Sequence, residues 1–340
     1  MSEIDLSVII PFYNTECRLI KGAIDSVRGQ SHIRTEIILV NDGSTASCTE
    51  AVEAYIERMQ DVTLISGENR GVSAARNRGI AEARGRYITL LDADDRFTEV
   101  FFEDLNKLLD EDVDMIFGGT RIVSENETVQ DCLDGDVTFY RDPESILKWK
   151  PALIGTDHLF EREHWVYLSF GIAAKVIRRE LAKSIRVNET LKIGEDCLWN
   201  LQLLEQTGSL AVCGRVWYLY TSNPESATHR YNPGIIRETA QALACMREHV
   251  DFNNGREQQA YVNRLFIFMF VIAKTAINRN GGELTRKKRR EMERTVYTQE
   301  PWTDLLRYRQ RDDRNRVRIL LYRTGTLFLY YRVRHFLGGK

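Results

Sequence analysis

The sequence predicts an α/β fold, in which helices cover both faces of a mostly parallel central sheet, followed by a C-terminal helical extension. Short runs rich in β-branched residues alternate with longer helical patterns through roughly the first hundred residues. Right-handed crossovers turn such a succession into a parallel sheet. Beyond about residue 230 the pattern becomes mainly helical. We therefore expect two parts, residues 1–230 and residues 231–340.

The elements of the first part can be placed one by one. Strands are predicted at residues 6–10, 35–40, 62–65 and 86–91, with helices near 16–28, 47–59 and 71–83. Polar segments follow three of these strands, namely PFYN, NDGS and DADD. Ligands in open parallel sheets bind at the carboxyl ends of the strands. These three segments should therefore meet at one crevice.

The later elements are less regular. A further strand is predicted in VDMIFGG, and GEDCLWNLQLLEQTG (194–208) has the pattern of an amphipathic helix with Glu195 and Asp196 at its N-terminal end. The apolar run LFIFMFVIAK (265–274) is too short to span a bilayer, which needs about twenty residues. We expect it to be a core helix.

The composition excludes several classes of protein. With 43% hydrophobic and 28% charged residues, the chain is neither disordered nor a polytopic membrane protein. Its six cysteines are scattered without metal-ligand spacing, and its N-terminal segment lacks the basic leader and long apolar run of a signal peptide. Reduced thiols and a cytoplasmic location are expected.

The net charge of −2 is unevenly distributed. From Gly281 to Lys340 there are 16 basic and 7 acidic residues, a net charge of about +9, which leaves about −11 for the rest. The closing segment RVRILLYRTGTLFLYYRVRHFLGGK interleaves arginine with apolar residues. Such a segment suits the surface of an anionic membrane, or a hairpin packed on the first domain with its arginine stems over apolar surface. Nucleic-acid binding is not expected.

The segment LLDADDR places Asp92, Asp94 and Asp95 directly after a strand. Three carboxylates in four positions repel one another, and a divalent cation such as Mg²⁺ or Mn²⁺ would offset that repulsion. A solvated turn that caps a helix explains the same residues equally well. The segment alone does not decide between the two.

Four motifs in this order and spacing resemble the inverting family 2 glycosyltransferases with the GT-A fold, of the type that assembles bacterial polysaccharides: PFYN, VNDGS, ENRGVSAARNRGIAEARGRYITLLDADD and GEDCLWN. The resemblance covers roughly residues 5–230. It implies transfer of a hexosyl or N-acetylhexosaminyl group from a nucleotide sugar to an acceptor hydroxyl. It also implies a nucleotide-binding half, about 1–118, and an acceptor half, about 119–230.

The same resemblance assigns the donor site. Pro11, Tyr13 and Asn14 would line the base and ribose pocket, although a strand-ending turn accounts equally for Pro11. Asp42 would pair with the nucleobase, and a carboxylate that accepts from an imide N–H suits UDP; helix capping is the alternative. Arg76 and Asn77 would lie near the diphosphate and ribose, unless the arginines of this helix simply form a solvated face.

The resemblance makes Asp94 the metal ligand and places Asp92 beside the ribose or the metal. Asp196 would be the general base that takes the proton of the acceptor hydroxyl, with helix N-terminal stabilisation as the alternative. His229 is a candidate third metal ligand, or else an exposed loop histidine. A lipid-linked saccharide is the expected acceptor if the C-terminal segment touches a membrane.

Two rival functions remain. A nucleotidyltransferase also joins an α/β sheet to carboxylates and Mg²⁺, but the expected glycine-rich phosphate loop after the first strand is replaced by PFYNTE. An inactive sugar-nucleotide-binding scaffold should have lost some acids, whereas Asp42, Asp92, Asp94 and Asp196 are all present.

Overall fold

The structure is a computed structural model that describes residues 4–28, 33–123, 136–155, 166–167, 171–221, 232–273, 285–307 and 313–336. The chain divides into two compact units. The sheet unit comprises Met1–Lys150, His158–Thr190 and Glu195–Ser222. The helical unit comprises Asn223–Lys340 together with two short earlier segments, Pro151–Asp157 and Leu191–Gly194.

The sheet unit is built on a ten-stranded sheet in the described residues, with the main strand order β3-β2-β1-β4-β9-β6-β10-β5. The strands are β1 (Leu6–Phe12), β2 (Thr35–Asn41), β3 (Val62–Ser66), β4 (Tyr87–Leu90), β5 (Arg96–Phe97), β6 (Met115–Val123), β7 (Val137–Tyr140), β8 (Val166–Tyr167), β9 (Lys175–Arg178) and β10 (Leu210–Thr221). β7 pairs with β10, and β8 with β6. Six of these strands run in one direction, while β9 and the short β5, β7 and β8 run against them.

The described chain up to Thr221 contains eight α-helices. They are α1 (Cys17–Arg28), α2 (Ala46–Ile56), α3 (Val72–Glu82), α4 (Glu99–Leu108), α5 (Pro143–Leu147), α6 (Lys150–Gly155), α7 (Arg179–Ser184) and α8 (Glu195–Gln206). All but the first residue of α6 belong to the helical unit. The mostly parallel α/β architecture predicted from the sequence is confirmed.

Burial explains why the central strands form where they do. All seven residues of β1 are buried, as expected for a parallel strand covered on both faces. α3 approaches β1 closely, since a Cβ atom added at Gly79 would lie 2.3 Å from the Ile9 side chain. Only a glycine allows this approach, and it brings α3 against the strands whose ends carry the polar segments.

The predicted strands and helices of residues 6–91 are observed within a few residues of their expected ends. The strand predicted in VDMIFGG is β6, and the helix predicted at 194–208 is α8. β10, a twelve-residue strand that pairs with β6 in parallel, was not predicted from the sequence. Its residues LAVCGRVWYLYT are rich in β-branched and aromatic types, so the signal was present.

The helical unit contains α9 (Ile235–Arg247), α10 (Gly255–Ile272), α11 (Arg286–Thr298), a short 3₁₀ helix (Trp302–Leu306), α12 (Asp313–Arg323) and α13 (Leu327–Phe336). α10 contains most of the run LFIFMFVIAK, and many of its side chains are buried, which confirms a core helix. Its buried Arg264 donates to the backbone oxygens of Leu153 and Ile154 in the same unit. In the part of the chain that the structure describes, no helix is both long and apolar enough to cross a membrane.

Candidate functional site

The loops after β1 and β2 are held together by Asn14. Its backbone N–H donates to Ser44 Oγ at 2.9 Å, and its side-chain oxygen accepts from the Thr45 N–H at 2.8 Å. Asn14 has φ 48°, a left-handed conformation that asparagine tolerates better than most residues. Pro11 is buried inside β1, whereas the side chain of Tyr13, the residue before Asn14, is 54% exposed. The predicted base pocket therefore has one aromatic ring open to solvent.

Asp42 is buried at the carboxyl end of β2 and receives two backbone hydrogen bonds. Its Oδ1 accepts from the Arg70 N–H at 2.9 Å and its Oδ2 from the Gly71 N–H at 2.8 Å. These amides lie at the start of α3, so Asp42 stabilises the N-terminus of that helix. Each carboxylate oxygen can accept more than one hydrogen bond, so capping leaves the group able to bind a ligand as well.

Gly43 makes the turn after Asp42 possible. Its φ is +77°, and a Cβ atom here would lie 2.6 Å from the Asn69 backbone nitrogen. A side chain would therefore force apart the two loops that Asp42 joins. Glycine at position 43 therefore allows the two loops to approach each other closely.

Arg76 lies at the centre of a buried charge group. Its guanidinium donates to Glu195 Oε1 at 3.0 Å and to Asp92 Oδ1 at 3.2 Å. Burial alone would lower the pKa of Arg76, but the negative charges of Asp92, Glu195 and Asp196 outweigh burial and raise it. Arg76 therefore links α3, the DADD segment and the start of α8.

The other arginines near α3 behave differently from Arg76. Arg70 pairs with Glu189 and Arg84 with Glu36, and both arginine side chains are exposed. Arg78 donates to the backbone oxygen of Ser66 in an exposed position. Among these four arginines, only Arg76 is buried with carboxylates.

Asn77 contacts a different part of the chain from Arg76. Its amide nitrogen donates to Val187 O at 2.8 Å and to Glu189 Oε1 at 3.0 Å, while its oxygen accepts from the Val187 N–H at 2.9 Å. The side chain is buried, and it fixes the segment that precedes α8. Its predicted place near the diphosphate stays a prediction.

The three aspartates of DADD have three environments. Asp92 is partly exposed and bound to Arg76. Asp94 is partly buried, and in the described chain no lysine or arginine pairs with it. Burial, and then the charge of Asp92, raise the pKa of Asp94. A carboxylate in this state is stabilised by any cation that reaches it.

Asp95 is buried and hydrogen-bonded by β10. Its Oδ2 accepts from Tyr218 Oη and its Oδ1 from the Thr221 N–H, both at 2.7 Å. Burial, followed by the charge of Asp92, raises the pKa of Asp95 well above its usual range. Tyr218 Oη also accepts from the Asp92 N–H at 3.2 Å, so this one hydroxyl orients two residues of the motif. Tyr218 was not predicted as a site residue because the strand that carries it, β10, was not predicted.

The two acids at the start of α8 also differ from each other. Glu195 is buried against Arg76, and burial, then the charge of Asp196, raise its pKa while Arg76 opposes the rise. Asp196 is partly exposed, and its Oδ1 accepts from the Cys197 N–H at 2.7 Å. Glu195 therefore holds the charge group together, and Asp196 is the acid of the pair with access to solvent.

Lys175 is a buried amine that the sequence analysis did not identify. Its Nζ donates to the backbone oxygens of Gly171 and Ala173 and lies 5.3 Å from the centre of the Phe117 ring. Burial lowers the pKa of Lys175 to about 7, against the opposing charge of Asp196. Gly171 O also accepts from Asn200 Nδ2 of α8 at 2.7 Å. Lys175 and α8 therefore donate to the same backbone oxygen.

The carboxylates of DADD fit a divalent cation on their chemistry. Within the described ranges, no group of three His, Cys, Asp or Glu side chains could hold a metal ion. Mg²⁺, however, is commonly held by only one or two carboxylates together with substrate phosphates. Asp94, which is partly buried, lies next to Asp92 and has no cationic partner among the described residues, meets that requirement. The candidate third ligand His229 lies outside the described residues.

The chain is similar to known glycosyltransferases. Residues 7–164 match the model of glycosyl transferase family 2. The chain is 28% identical to the uncharacterized glycosyltransferase EpsJ of Bacillus subtilis, covering 72% of this chain and 70% of EpsJ. It is 31% identical to the succinoglycan biosynthesis protein ExoO of Rhizobium meliloti, covering 64% of this chain and 60% of ExoO. The chain spans only 44% of the glycosyltransferase GlyG of Streptococcus pneumoniae, at 36% identity.

The fold has solved counterparts. The crystal structure of Staphylococcus aureus TarS in complex with UDP-GlcNAc superimposes with a TM-score of 0.63 at 17% identity, over 98% of this chain and 92% of that chain. At this identity the likeness concerns the fold. Residues 7–164 thus match glycosyl transferase family 2, and the fold of the chain is of the GT-A type.

Proposed function

We propose that the chain is an inverting glycosyltransferase that moves the sugar of a UDP-sugar to an acceptor hydroxyl. The observation that carries the proposal is the charge group at the strand ends. There Arg76 binds Asp92 and Glu195, while Asp94 and Asp196 are left without a hydrogen bond to that arginine. Such an arrangement holds two acids rigidly and leaves two others free to act on a bound donor and acceptor.

UDP is the proposed nucleotide. Asp42 would accept from the imide N–H of uracil, with Tyr13 and Asn14 beside the base and Pro11 in the strand below them. The TarS structure with UDP-GlcNAc and a second one with UDP support a uridine nucleotide for this fold. The proposed donor half is about 1–118 and the proposed acceptor half about 119–230. Arg76 and Asn77 would border the diphosphate and ribose.

A divalent cation, Mg²⁺ or Mn²⁺, is the proposed cofactor. Asp94 would hold it, with Asp92 alongside, and the cation would stabilise the charge that develops on the leaving nucleoside diphosphate. Asp92 is already oriented by Arg76 and by the Tyr218 hydroxyl. Asp94 would thus be the ligand whose charge no lysine or arginine of the described residues neutralises.

Asp196 is the proposed general base. Inversion by a single displacement requires a group that takes the proton of the attacking hydroxyl, and a carboxylate in contact with solvent can do so. Its neighbour Glu195 is buried in the ion pair with Arg76 and is unsuited to that task. At the start of α8, Asp196 would therefore face the acceptor, while Glu195 would fix the position of the helix through its ion pair with Arg76.

The proposed acceptor is a saccharide, in particular a lipid-linked saccharide of cell-surface polysaccharide synthesis. Support comes from the name of ExoO, a succinoglycan biosynthesis protein. The transferred group is proposed to be a hexosyl or N-acetylhexosaminyl group, the latter being the sugar of the donor bound to TarS. The proposed location is cytoplasmic, on the inner face of the cell membrane.

Calorimetric titration with UDP, with and without Mn²⁺, tests the donor site. We expect wild type to bind UDP more tightly with Mn²⁺ and Asp94→Asn to lose that metal dependence, because the variant removes the charge that holds the cation. The matched control is Asp110→Asn, an exposed acid on the same unit. A wild-type protein that binds no UDP would overturn the proposed donor. Binding of UDP without sugar transfer from any UDP-sugar would favour an inactive scaffold.

A further inference from the structure

Two consecutive helices of the helical unit, α12 and α13, both pack on α11. Tyr322 of α12 donates its hydroxyl to Val296 O of α11 at 2.9 Å, and its ring lies 5.2 Å from the Tyr297 ring. Phe328 of α13 meets the same Tyr297 ring edge to face at 5.5 Å. Both helices therefore bury one side against α11.

The opposite sides of both helices carry large apolar residues in solvent. Leu320 is 61% exposed and Leu329 is 52% exposed. The exposed apolar residues, hereafter the apolar face, are Val317, Leu320, Leu329, Tyr330 and Val333. Because both buried faces pack on Tyr297, the exposed faces point away from α11. Soluble surfaces rarely concentrate so many large apolar residues in so short a segment.

Basic residues flank the apolar face. Arg316 and Arg323 are exposed on α12, where helical spacing places both on one flank of the stripe formed by Val317 and Leu320. Across residues 313–336 there are six arginines and one acidic residue. Apolar residues bordered by arginine match the boundary between acyl chains and anionic headgroups.

We propose that the apolar face of α12 and α13 binds the surface of an anionic lipid membrane. The apolar side chains would enter the headgroup boundary, and Arg316 and Arg323 would contact lipid phosphates. Each helix has ten or eleven residues, about 15 Å of length, which is half of a bilayer core. The helices would therefore lie along the membrane surface.

The charge distribution favours lipid over a second copy of this chain. A symmetric dimer would bring the same patch of each copy together and would place Arg316 and Arg323 opposite their own counterparts. Charged residues are depleted at the core of protein interfaces, and like charges across one are costly. A lipid surface offers phosphates instead, which complement the arginines. This inference does not depend on the proposed reaction, since lipid binding needs no nucleotide.

Co-sedimentation of the full chain with vesicles tests the proposal. We expect binding to vesicles of phosphatidylcholine with phosphatidylglycerol, and little binding to phosphatidylcholine alone. Leu320→Asp with Leu329→Asp should weaken binding at least about tenfold, because two apolar side chains leave the lipid. Arg316→Glu with Arg323→Glu should weaken it by at least a similar factor, and added salt should mimic that loss.

Matched variants on the sheet unit serve as controls. Leu147→Asp changes an apolar residue that is 40% exposed on α5. Arg58→Glu with Lys107→Glu makes the same change in net charge at two exposed positions. Unchanged vesicle binding in these controls, with equal unfolding curves, would support the apolar face. Wild-type protein that stays in the supernatant, or equal losses in the controls, would overturn the proposal. A third result would also overturn it: light scattering shows a dimer, the double variant Leu320→Asp with Leu329→Asp dissociates that dimer, and the same variant still binds vesicles as wild type does.

Discussion

The charged residues at the strand ends of the sheet unit and those on α12 of the helical unit differ in burial. At the strand ends of the sheet unit, Arg76 and Glu195 are buried and paired within about 3 Å of each other. On α12 of the helical unit, Arg316 and Arg323 lie on the surface beside exposed leucine. Buried charges need partners in the folded chain, since an unpaired one costs several kcal/mol. Surface arginines keep their contact with water, so their charge also acts outside the chain.

This difference separates two uses of charge. The buried group sets the positions of side chains for a reaction, because its members cannot move without losing their partners. The exposed arginines contribute to the electrostatic potential at the surface of the protein. That potential depends on their net charge and is screened by salt. The predictions below test whether each group behaves as its burial indicates.

Asp196→Asn should have the largest effect, on activity and not on the fold. Removing a general base typically lowers the rate by about 10²–10⁴-fold, while UDP binding should hardly change. UDP release from a panel of UDP-sugars, with a lipid extract as the source of acceptor, measures the rate. The control Glu99→Gln removes an exposed acid from the first turn of α4. Full activity in Asp196→Asn would exclude Asp196 as the base.

Arg76→Met should destabilise the protein strongly. The change leaves Glu195 buried without its cation and frees Asp92, which typically costs about 3–5 kcal/mol of the free energy of unfolding. Urea denaturation measures the loss. Arg78→Met on the same helix is the control, because Arg78 hydrogen-bonds only at an exposed position, and it should cost less than about 1 kcal/mol. A similar small loss for both variants would mean that the buried charge group does not hold these elements together.

Lys175→Met should change how stability depends on pH. Burial lowers the pKa of Lys175 to about 7 in the folded chain, against about 10.4 in the unfolded chain. Between these values the unfolded chain binds one proton more, so the unfolding free energy of wild type should rise with pH by up to about 1.4 kcal/mol per unit. Lys175→Met removes that contribution.

Urea denaturation from pH 6 to pH 9, roughly the window in which this group changes its charge, measures the difference between wild type and Lys175→Met. Lys183→Met is the control, since the exposed Lys183 also donates to a backbone oxygen but remains in contact with water. A constant difference between wild type and Lys175→Met across this window would show that Lys175 stays charged in the folded chain.

Local pattern was enough to predict the strands and helices of residues 6–91 and the helix at 195–206. Runs of β-branched residues and apolar spacing are local properties, so they can be read without knowing the fold. The candidate site was predictable to the same extent, because Asp42, Asp92, Asp94 and Asp196 lie directly at the ends of those elements. The resemblance to a known family supplied their proposed roles.

Two site residues could not have been found from local pattern. Tyr218 reaches Asp95 only because β10 pairs with β6 and β5, which brings together residues 123 positions apart. In the sequence, nothing distinguishes Lys175 from other lysines near strands. Its amine is buried only because of the packing of the folded chain. Long-range pairing and burial are decided by the whole chain, and a window of sequence contains no information on either.

The C-terminal segment illustrates the same division. Its sequence determined that arginine and apolar residues would alternate in a basic helical region, but left open whether that region faces a membrane or packs as a hairpin. The tertiary structure separates the two faces: Tyr322 and Phe328 pack on Tyr297, while Leu320 and Leu329 stay in solvent. Composition follows from the sequence alone, whereas the choice of which face is buried depends on the neighbours that each helix meets in the fold.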